Sequence, residues 1–587
     1  QHGGQGGPDG QESQEHRISY PLINCTNCGP RFSIIRNIPY DRGHTSMEPF
    51  EMCETCNREY HDPSNRRFHA QPVSCLSCGP VYSMQVGDQT LTDLPLIFER
   101  LDMLLSSGGI IAVKGLGGCH VLADPQDTYA LLSLRRMKGR FAKPFAVMMA
   151  GIEEVEKHFV PCPVSRKLLT GWRRPVVILD GRGPFAQEVS MQLNTTGVIL
   201  PYMPFHYLMF RNIRSKAVVF SSFNVSDEPV IIDDEKAGHF DKDKPDAIVS
   251  YNREIVNRLD DSVLHVVDES PVLLRRSRSY VPASLCFSGH IDGVFATGGG
   301  LKHAFALGKG DTIVMSQYIG DIEDISSYHF YQDAYDRFSK LYRFDPEVVA
   351  CDMHPAYVST RFAGSMDLPL IRVQHHHAHV VSCMAEYGIQ HSVIGFAWDG
   401  TGFGEDGHTW GSEAMVANAN VFDRKAHFSY LPMPGGDLAV KEPWRMALGA
   451  LITAGISRNR WHRIPMFSNL RDEEILLVSQ QVEQGIGCPL TCGAGRLFDV
   501  VAALLGLKTH AGFDAEPAMM LEELAGDTDR VKPYALPFNT VTDCNALISI
   551  IVKDIETGRP PVEIAAAFHS FLSKLILTTA QKISGEE

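Results

Sequence analysis

The sequence predicts a multidomain α/β protein, a small zinc-ribbon domain followed by two α/β domains. Three observations predict it. Paired C-x2-C motifs crowd the first 80 residues, apolar β-type runs alternate with helical stretches from about residue 89, and glycine-rich turns follow strands in the C-terminal part. At 587 residues the chain is too long for one hydrophobic core. The expected boundaries are 1–88, 89–285 and 286–587.

The ribbon comes first. NCTNCGPRFS (24–33) reappears as SCLSCGPVYS (74–83), a period of 50 residues. In the second copy 18 residues separate Cys53-x2-Cys56 from Cys75-x2-Cys78, the spacing of a four-thiolate structural zinc site whose knuckles an intervening hairpin brings together. In the first copy Cys25 and Cys28 are candidate ligands, but Gly3 and Gly6 stand where their partners would be. The other eight cysteines are scattered singly, which with the paired motifs indicates metal binding in a reducing cytoplasm rather than a disulfide framework.

Composition limits the partners. No apolar run approaches the roughly 18 residues that span a bilayer, so no membrane partner is expected. A formal net charge of −15 repels phosphate backbones, so no nucleic-acid partner is expected either.

The middle domain is predicted from the β-type runs GGIIAVKG (108–115), FAVMMA (145–150), PVVIL (175–179) and KAVVFSS (216–222). Between them LRRMKGRFAKP packs Arg135, Arg136, Lys138, Arg140 and Lys143. Most such runs are solvated helix faces, yet this one leads into a buried-type strand of an acidic protein. Cations at that junction can neutralise phosphate or carboxylate, and SSFNVS (221–226) can add hydroxyl and amide hydrogen bonds.

The third domain has glycine-rich turns at ATGGGLKHAF (296–305), AWDGTGFGEDG (397–407) and LPMPGGD (431–437). None fits the dinucleotide or P-loop fingerprint, but such loops can cradle phosphates through backbone N–H groups while Asp399 and Asp437 hold a cation. PLIRV (369–373) reads as a strand that opens directly into a helix at HHHAHVVSCMAEYG. At 100° per residue His375 and His379 share a polar stripe and can chelate a metal, with Asp399 the nearest carboxylate candidate. His376 and His377 turn to the apolar side, where packing accounts for them. The metalloprotease glutamate of H-E-x-x-H is missing.

Two resemblances sharpen these readings. KGLGGCHVLAD, LRRMKGRFAKPFAVM and SSFNVSDEP resemble the YrdC/Sua5 type of domain, which binds ATP and forms a carbamoyl-type adenylate. The resemblance implies a binding set of Lys114, His120, Arg135, Lys138, Arg140, Lys143, Ser221, Ser222 and Asn224. The last domain resembles the Kae1-like (ASKHA) carbamoyltransferases, which hold a metal through a His-x3-His helix and aspartates beside a nucleotide site. It implies nucleotide contacts at Lys302, Gly400, Thr401, Gly402, Gly435, Gly436 and Asp437, and places Glu442, Arg445, Arg496 and Asp499 in matching stretches.

Zinc ribbons, a YrdC-like domain and a Kae1-like domain in one chain resemble the HypF family of hydrogenase maturation carbamoyltransferases. NCTNCGPRFSI, RRFHAQP, DDSV, RRSRSYVP, SQYIGD and QHHHAH all agree with it. The resemblance implies ATP with Mg2+, structural zinc, and a second divalent metal, iron or zinc, at His375 and His379. It further implies carbamoyl phosphate or carbamate as substrate, and transfer through an adenylate to the C-terminal cysteine of a HypE-type maturation protein. An acylphosphatase-like N-terminal domain and a glycine-rich C-terminal stretch of that family are not recognisable, which reads as a chain cut at both ends. Alternatives are a small-molecule O-carbamoyltransferase, a tRNA threonylcarbamoylation-type enzyme and a non-enzymatic zinc-ribbon adaptor.

Overall fold

The computed structural model describes residues 16–24, 31–225, 228–234, 244–526 and 531–586. Two compact units emerge, one of residues 1–286 with 290–348 and one of 287–289 with 349–587. Strands and helices alternate in both, in mixed sheets.

The first unit is organised by an 11-stranded sheet. Its strands are β1 (Tyr82–Val86), β2 (Gln89–Leu91), β3 (Ile111–Lys114), β4 (Cys119–Ala123), β5 (Ala146–Met149), β6 (Val176–Asp180), β7 (Thr195–Ile199), β8 (Ala217–Ser222), β9 (Ala247–Tyr251), β10 (Val263–Val267) and β11 (Ser270–Arg275). Their order is β11-β10-β6-β7-β5-β8-β4-β3-β9-β1-β2. Side chains alternate between two cores, because successive strand residues point to opposite faces. Ile111, Val113 and Met148 join helices Leu94–Ser106 and Pro204–Asn212 on one face, while Ala112, Val121, Val147 and Met149 meet helix Thr128–Lys138 on the other. The four apolar runs of the middle domain are thus strands β3, β5, β6 and β8. β1 follows the second cysteine knuckle directly and pairs with β9.

The first knuckle opens a helix, Glu54–His61, which contains Cys56, and turns carry the chain on to the second knuckle, where spacing alone had suggested a hairpin. Glu54 in its first turn and Arg58 and His61 in its last complement the helix dipole, and Cys53 occupies its N-cap. The unit also holds β12 (Leu285–Cys286), β13 (Val294–Ala296), β14 (Ala306–Lys309) and β15 (Thr312–Met315), in the order β12-β15-β14-β13, with helix Ile325–Tyr342.

In the second unit β16 (Val348–Asp352) and β17 (Leu370–Val373) pair in parallel, and helix His375–Glu386 starts two residues after β17. A five-strand path runs β21 (Leu431–Pro432), β22 (Leu490–Thr491), β19 (Thr409–Ala417), β20 (Phe422–Phe428), β23 (Val541–Thr542), with β18 (Val393–Phe403) pairing β19. Helices Pro443–Thr453, Ala494–Leu504, Cys544–Glu556 and Pro561–Glu586 build the main core around Trp444, Leu448, Val501 and Phe568. Pro561–Gly585 is long and apolar enough, by length and mean hydropathy, to cross a membrane, although its sequence holds no uninterrupted apolar run of that length. Ile564 to Phe568 of that helix are buried in the protein's own core.

Candidate functional site

Cys53, Cys56, Cys75 and Cys78 bring their sulfurs within 4.8 Å of one another. Cys53 to Cys75 and Cys75 to Cys78 measure 3.8 and 3.7 Å. Thiolates at about 2.3 Å from a tetrahedral zinc stand about 3.8 Å apart, so the donor set fits structural zinc. The Cys75–Cys78 knuckle is a tight turn in which the N–H groups of Cys78 and Gly79 donate to the Cys75 carbonyl. Arg17 donates to Cys56 Sγ at 2.9 Å and pairs with buried Glu59 at 2.6 Å. Cys25 and Cys28 lie outside the described residues.

In the middle domain, the cations divide. Arg135 spends its guanidinium on the carbonyls of Glu188, Arg140 and Lys143 and packs 4.4 Å over the Phe145 ring, so it frames the loop from behind. Lys138 is fully buried and donates to the carbonyl oxygens of Ser222 and Asn224 and to Asn224 Oδ1. Burial, with Arg140 and Lys143 nearby, pushes its ammonium pKa well below the ordinary lysine value. Arg140 reaches Ser221 Oγ at 3.5 Å, and Ser222 Oγ donates to Asn224 Oδ1 at 2.8 Å. Lys138, Arg140, Ser221, Ser222 and Asn224 thereby meet at the end of β8.

Lys114 and His120 face each other's hairpin from the ends of β3 and β4. Lys114 Nζ donates to Asp234 at 2.8 Å and to the Tyr251 carbonyl at 3.0 Å. His120 stacks on Phe220 and meets Asp261 at 3.0 Å, and Asp261 accepts from Arg278 at 2.6 Å. Burial disfavours the Asp261 charge, but Arg278 and His120 overcome it and hold the carboxyl well below the usual range. Asp261 and Arg278 lie in DDSV and RRSRSYVP, stretches singled out by resemblance without a role for either residue.

The second unit assembles a compact donor cluster. His375 Nε2 stands 3.2 Å from both His379 Nε2 and Asp399 Oδ2, and His379 Nε2 is 3.7 Å from the same oxygen. Donors at about 2.0–2.1 Å from one tetrahedral ion lie about 3.3 Å apart, so these three atoms fit a divalent metal. Three elements position them. Gln374 caps the helix by accepting from the His377 N–H at 2.9 Å, residues 375 and 379 lie one turn apart, and Asp399 sits in β18. The Gly400 N–H donates to Asp399 Oδ1, leaving Oδ2 to face the imidazoles. Burial opposes charge on His375, yet its hydrogen bonds with Asp352 and Asp399 raise its pKa to about 9. His376 and His377 turn inward. The first lies against Gln374, and the second meets the Asn418 carbonyl at 2.7 Å.

Asp352 was not read from the sequence. Its Oδ2 is 2.6 Å from His375 Nδ1, on the far side of the ring from the cluster. The available signal was EVVACD (347–352), an apolar β-type run ending in a carboxylate as FAWD (396–399) does.

The glycine turns differ from their expected form. Asp399–Phe403 remain in β18, with 399–401 as a bulge, because Trp398 pairs with Ser412 and Gly402 with Trp410, leaving three residues opposite Gly411. The tight turn follows at Gly404–Gly407. Thr401 stands within this bulge. Gly435 and Gly436 have positive φ of 89° and 59°, which reserves the turn before exposed Asp437 for glycine. Arg445 pairs with Glu442 at 2.5 Å beside it. Arg496 reaches under Gly400 and pairs with Asp499 at 2.9 Å, and burial pushes the Asp499 carboxyl up to about 7 despite that partner. Lys302 belongs to the first unit, in the β13–β14 loop.

Comparison with known proteins covers the chain nearly end to end. Family models match as HypF finger (10–35 and 52–85), as telomere recombination of the Sua5/YciO/YrdC type (103–277), as HypF Kae1-like domain (290–386), and as carbamoyltransferase, Kae1-like domain, second subdomain (395–587). Carbamoyltransferase HypF of Rhodobacter capsulatus is 36% identical over 97% of this chain and 76% of its own length. The crystal structure of a full-length HypF in its phosphate- and nucleotide-bound form superposes with a TM-score of 0.92 at 40% identity, covering 99% of this chain and 77% of that one. The crystal structure of T. kodakarensis HypF gives 0.92 at 35% identity, over 97% and 76%.

Proposed function

The chain belongs to the HypF carbamoyltransferase family, and from that premise we propose that it is the ATP-dependent enzyme that makes carbamoyl adenylate and passes the carbamoyl group to a cysteine thiolate during nickel–iron hydrogenase maturation. The observation that carries the transfer step is the convergence of His375, His379 and Asp399 in the second unit. We assign residues 1–88 to the ribbons, 89–285 to adenylation and 286–587 to transfer.

In the adenylation half, Arg140, Ser221, Ser222 and Asn224 bind ATP at the end of β8, where buried Lys138 holds the Ser222 and Asn224 backbone in place, with Lys114 and His120 at the neighbouring hairpin. Arg140 and Lys143 offset negative charge developing at the α-phosphate as carbamate attacks and pyrophosphate leaves. Mg2+ accompanies the nucleotide. Arg135 contributes by holding the 139–144 backbone in place. Lys114 is paired with Asp234, and in this reading an anionic group of the substrate takes that partner's place.

In the transfer half, His375, His379 and Asp399 hold a divalent ion, iron or zinc, which when bound supplies Lewis acidity toward the carbamoyl carbonyl. Gly400, Thr401 and Gly402 bring backbone close to the nucleotide, and Gly435, Gly436 and Asp437 line the same unit's second turn. Lys302 enters this reading through the resemblance alone. The acceptor is the C-terminal cysteine of a HypE-type protein, whose thiolate attacks the carbamoyl carbon and displaces AMP.

The test is to supply ATP with carbamate or carbamoyl phosphate and quantify AMP and pyrophosphate, then add a protein ending in cysteine or, separately, an aminoglycoside-like alcohol. Pyrophosphate release, followed by AMP release with carbamoylation of the cysteine, is expected. His375→Ala should release pyrophosphate but transfer nothing. Absence of pyrophosphate with either carbamoyl source overturns the adenylation reading, and transfer to the alcohol alone overturns the acceptor.

A further inference from the structure

We propose that Asp352 is a positioning residue for metal binding, fixing the ring and tautomer of His375 so that Nε2 presents its lone pair to the ion. The proposal rests on reading His375, His379 and Asp399 as a metal site. An ion takes His375 in its neutral form, displacing one proton of the imidazolium, and a neutral imidazole has one N–H and one lone pair, so whichever nitrogen keeps donating leaves the other free to ligate. Asp352 Oδ2 lies 2.6 Å from Nδ1, so a carboxylate there holds the proton on Nδ1. Nε2 then bears the lone pair, on the side where His379 Nε2 and Asp399 Oδ2 both stand at 3.2 Å.

The carboxylate is itself held. Its Oδ1 accepts from the His354 N–H at 2.8 Å, and its side chain is only 6% exposed, so it has little freedom to leave the ring. The backbone dictates the meeting. Asp352 pairs with Val373 in the parallel β16–β17 ladder, and His375 opens its helix two residues later. Sequence separation hides this contact, since the two residues are 23 positions apart. His379 is more loosely held, with its side chain 54% exposed, so the defined geometry of the cluster depends more on His375. Carboxylates behind a ligating histidine raise its basicity and restrict its orientation, and their loss commonly weakens metal binding about 10–100-fold.

The test uses the full chain with its ribbon zinc retained, titrated with Co2+ against a competing chelator. Asp352→Asn keeps the shape and an acceptor for Nδ1–H but loses the charge, and should weaken Co2+ binding about tenfold; Asp352→Ala should weaken it toward 100-fold. Partial recovery by Asn relative to Ala, with ribbon zinc and thermal midpoint unchanged, separates positioning from a general folding role. Asp352→Asn binding within twofold of the unaltered protein overturns the proposal. An unaltered protein that takes up no Co2+ beyond the ribbon overturns the metal reading instead.

Discussion

Gly402 shows how little room the clustered histidines have. A Cβ built there would lie 2.4 Å from His376 Cε1 and 2.7 Å from His375 Cδ2. Neither ring can swing aside, because Asp352 holds one and Gln374 lies on the other. Gly402→Ala must therefore push His375 off Asp399 or distort the bulge, at about 1–3 kcal/mol for overpacking. We expect it to lose the non-ribbon metal, measured by metal content per chain, together with a lower thermal midpoint. Gly407→Ala is the control: its φ of 79° strains an alanine, but nothing lies within 4 Å of the added carbon, so metal content should stay intact. Retention of the metal by Gly402→Ala would mean that the rings are not fixed as the geometry implies.

At the scale of elements, the cysteine knuckles depend on their ion more than on packing. The helix Glu54–His61 buries only Cys56 and Glu59, too little apolar surface to hold the 26 residues 53–78 by itself. Chelation of zinc, or Cys53→Ser, should open residues 53–78 to trypsin at Arg58 and Arg66 while the 11-stranded sheet stays resistant, read by mass spectrometry of the fragments. Persistent protection of Arg58 after zinc removal would show that packing suffices. The same element shows what sequence spacing conveys. Four cysteines at this interval specify the coordination tetrahedron, but not the path between them, and that path is a short helix followed by turns rather than a hairpin. Strands β3, β5 and β6 were legible because each is a short apolar run bounded by glycine or proline, and β8 as an apolar run between polar segments. The helix of His375 was legible from its period. Asp352 and the Asp261–Arg278 pair behind His120 were not, because each acts on a residue brought near only by strand pairing or tertiary folding. The five cations at 135–143 were legible as a group, but their division into Arg135 as frame and Arg140 at the β8 end depends on which carbonyls surround each one.

For the whole molecule, charge decides between two partner classes that share these domain types. A tRNA-modifying enzyme must hold a polyanion, and each phosphate neutralised by a lysine or arginine contributes affinity that falls steeply with salt. Here the formal net charge is −15. The densest basic run is not a continuous surface stripe either, since Arg135 and Lys138 are 2% and 1% exposed and donate inward to carbonyls, leaving Arg136 as its one fully exposed cation. A protein acceptor that offers one terminal cysteine needs no such stripe, because a thiolate site requires local geometry and a single point of attack. We therefore expect bulk tRNA at about 0.15 M salt neither to shift the protein in a native gel nor to slow AMP release, whereas a cysteine-terminated acceptor protein should draw carbamoyl groups from it. Inhibition by tRNA that disappears on raising the salt would reverse this assignment, because only a phosphate-binding surface behaves in that way.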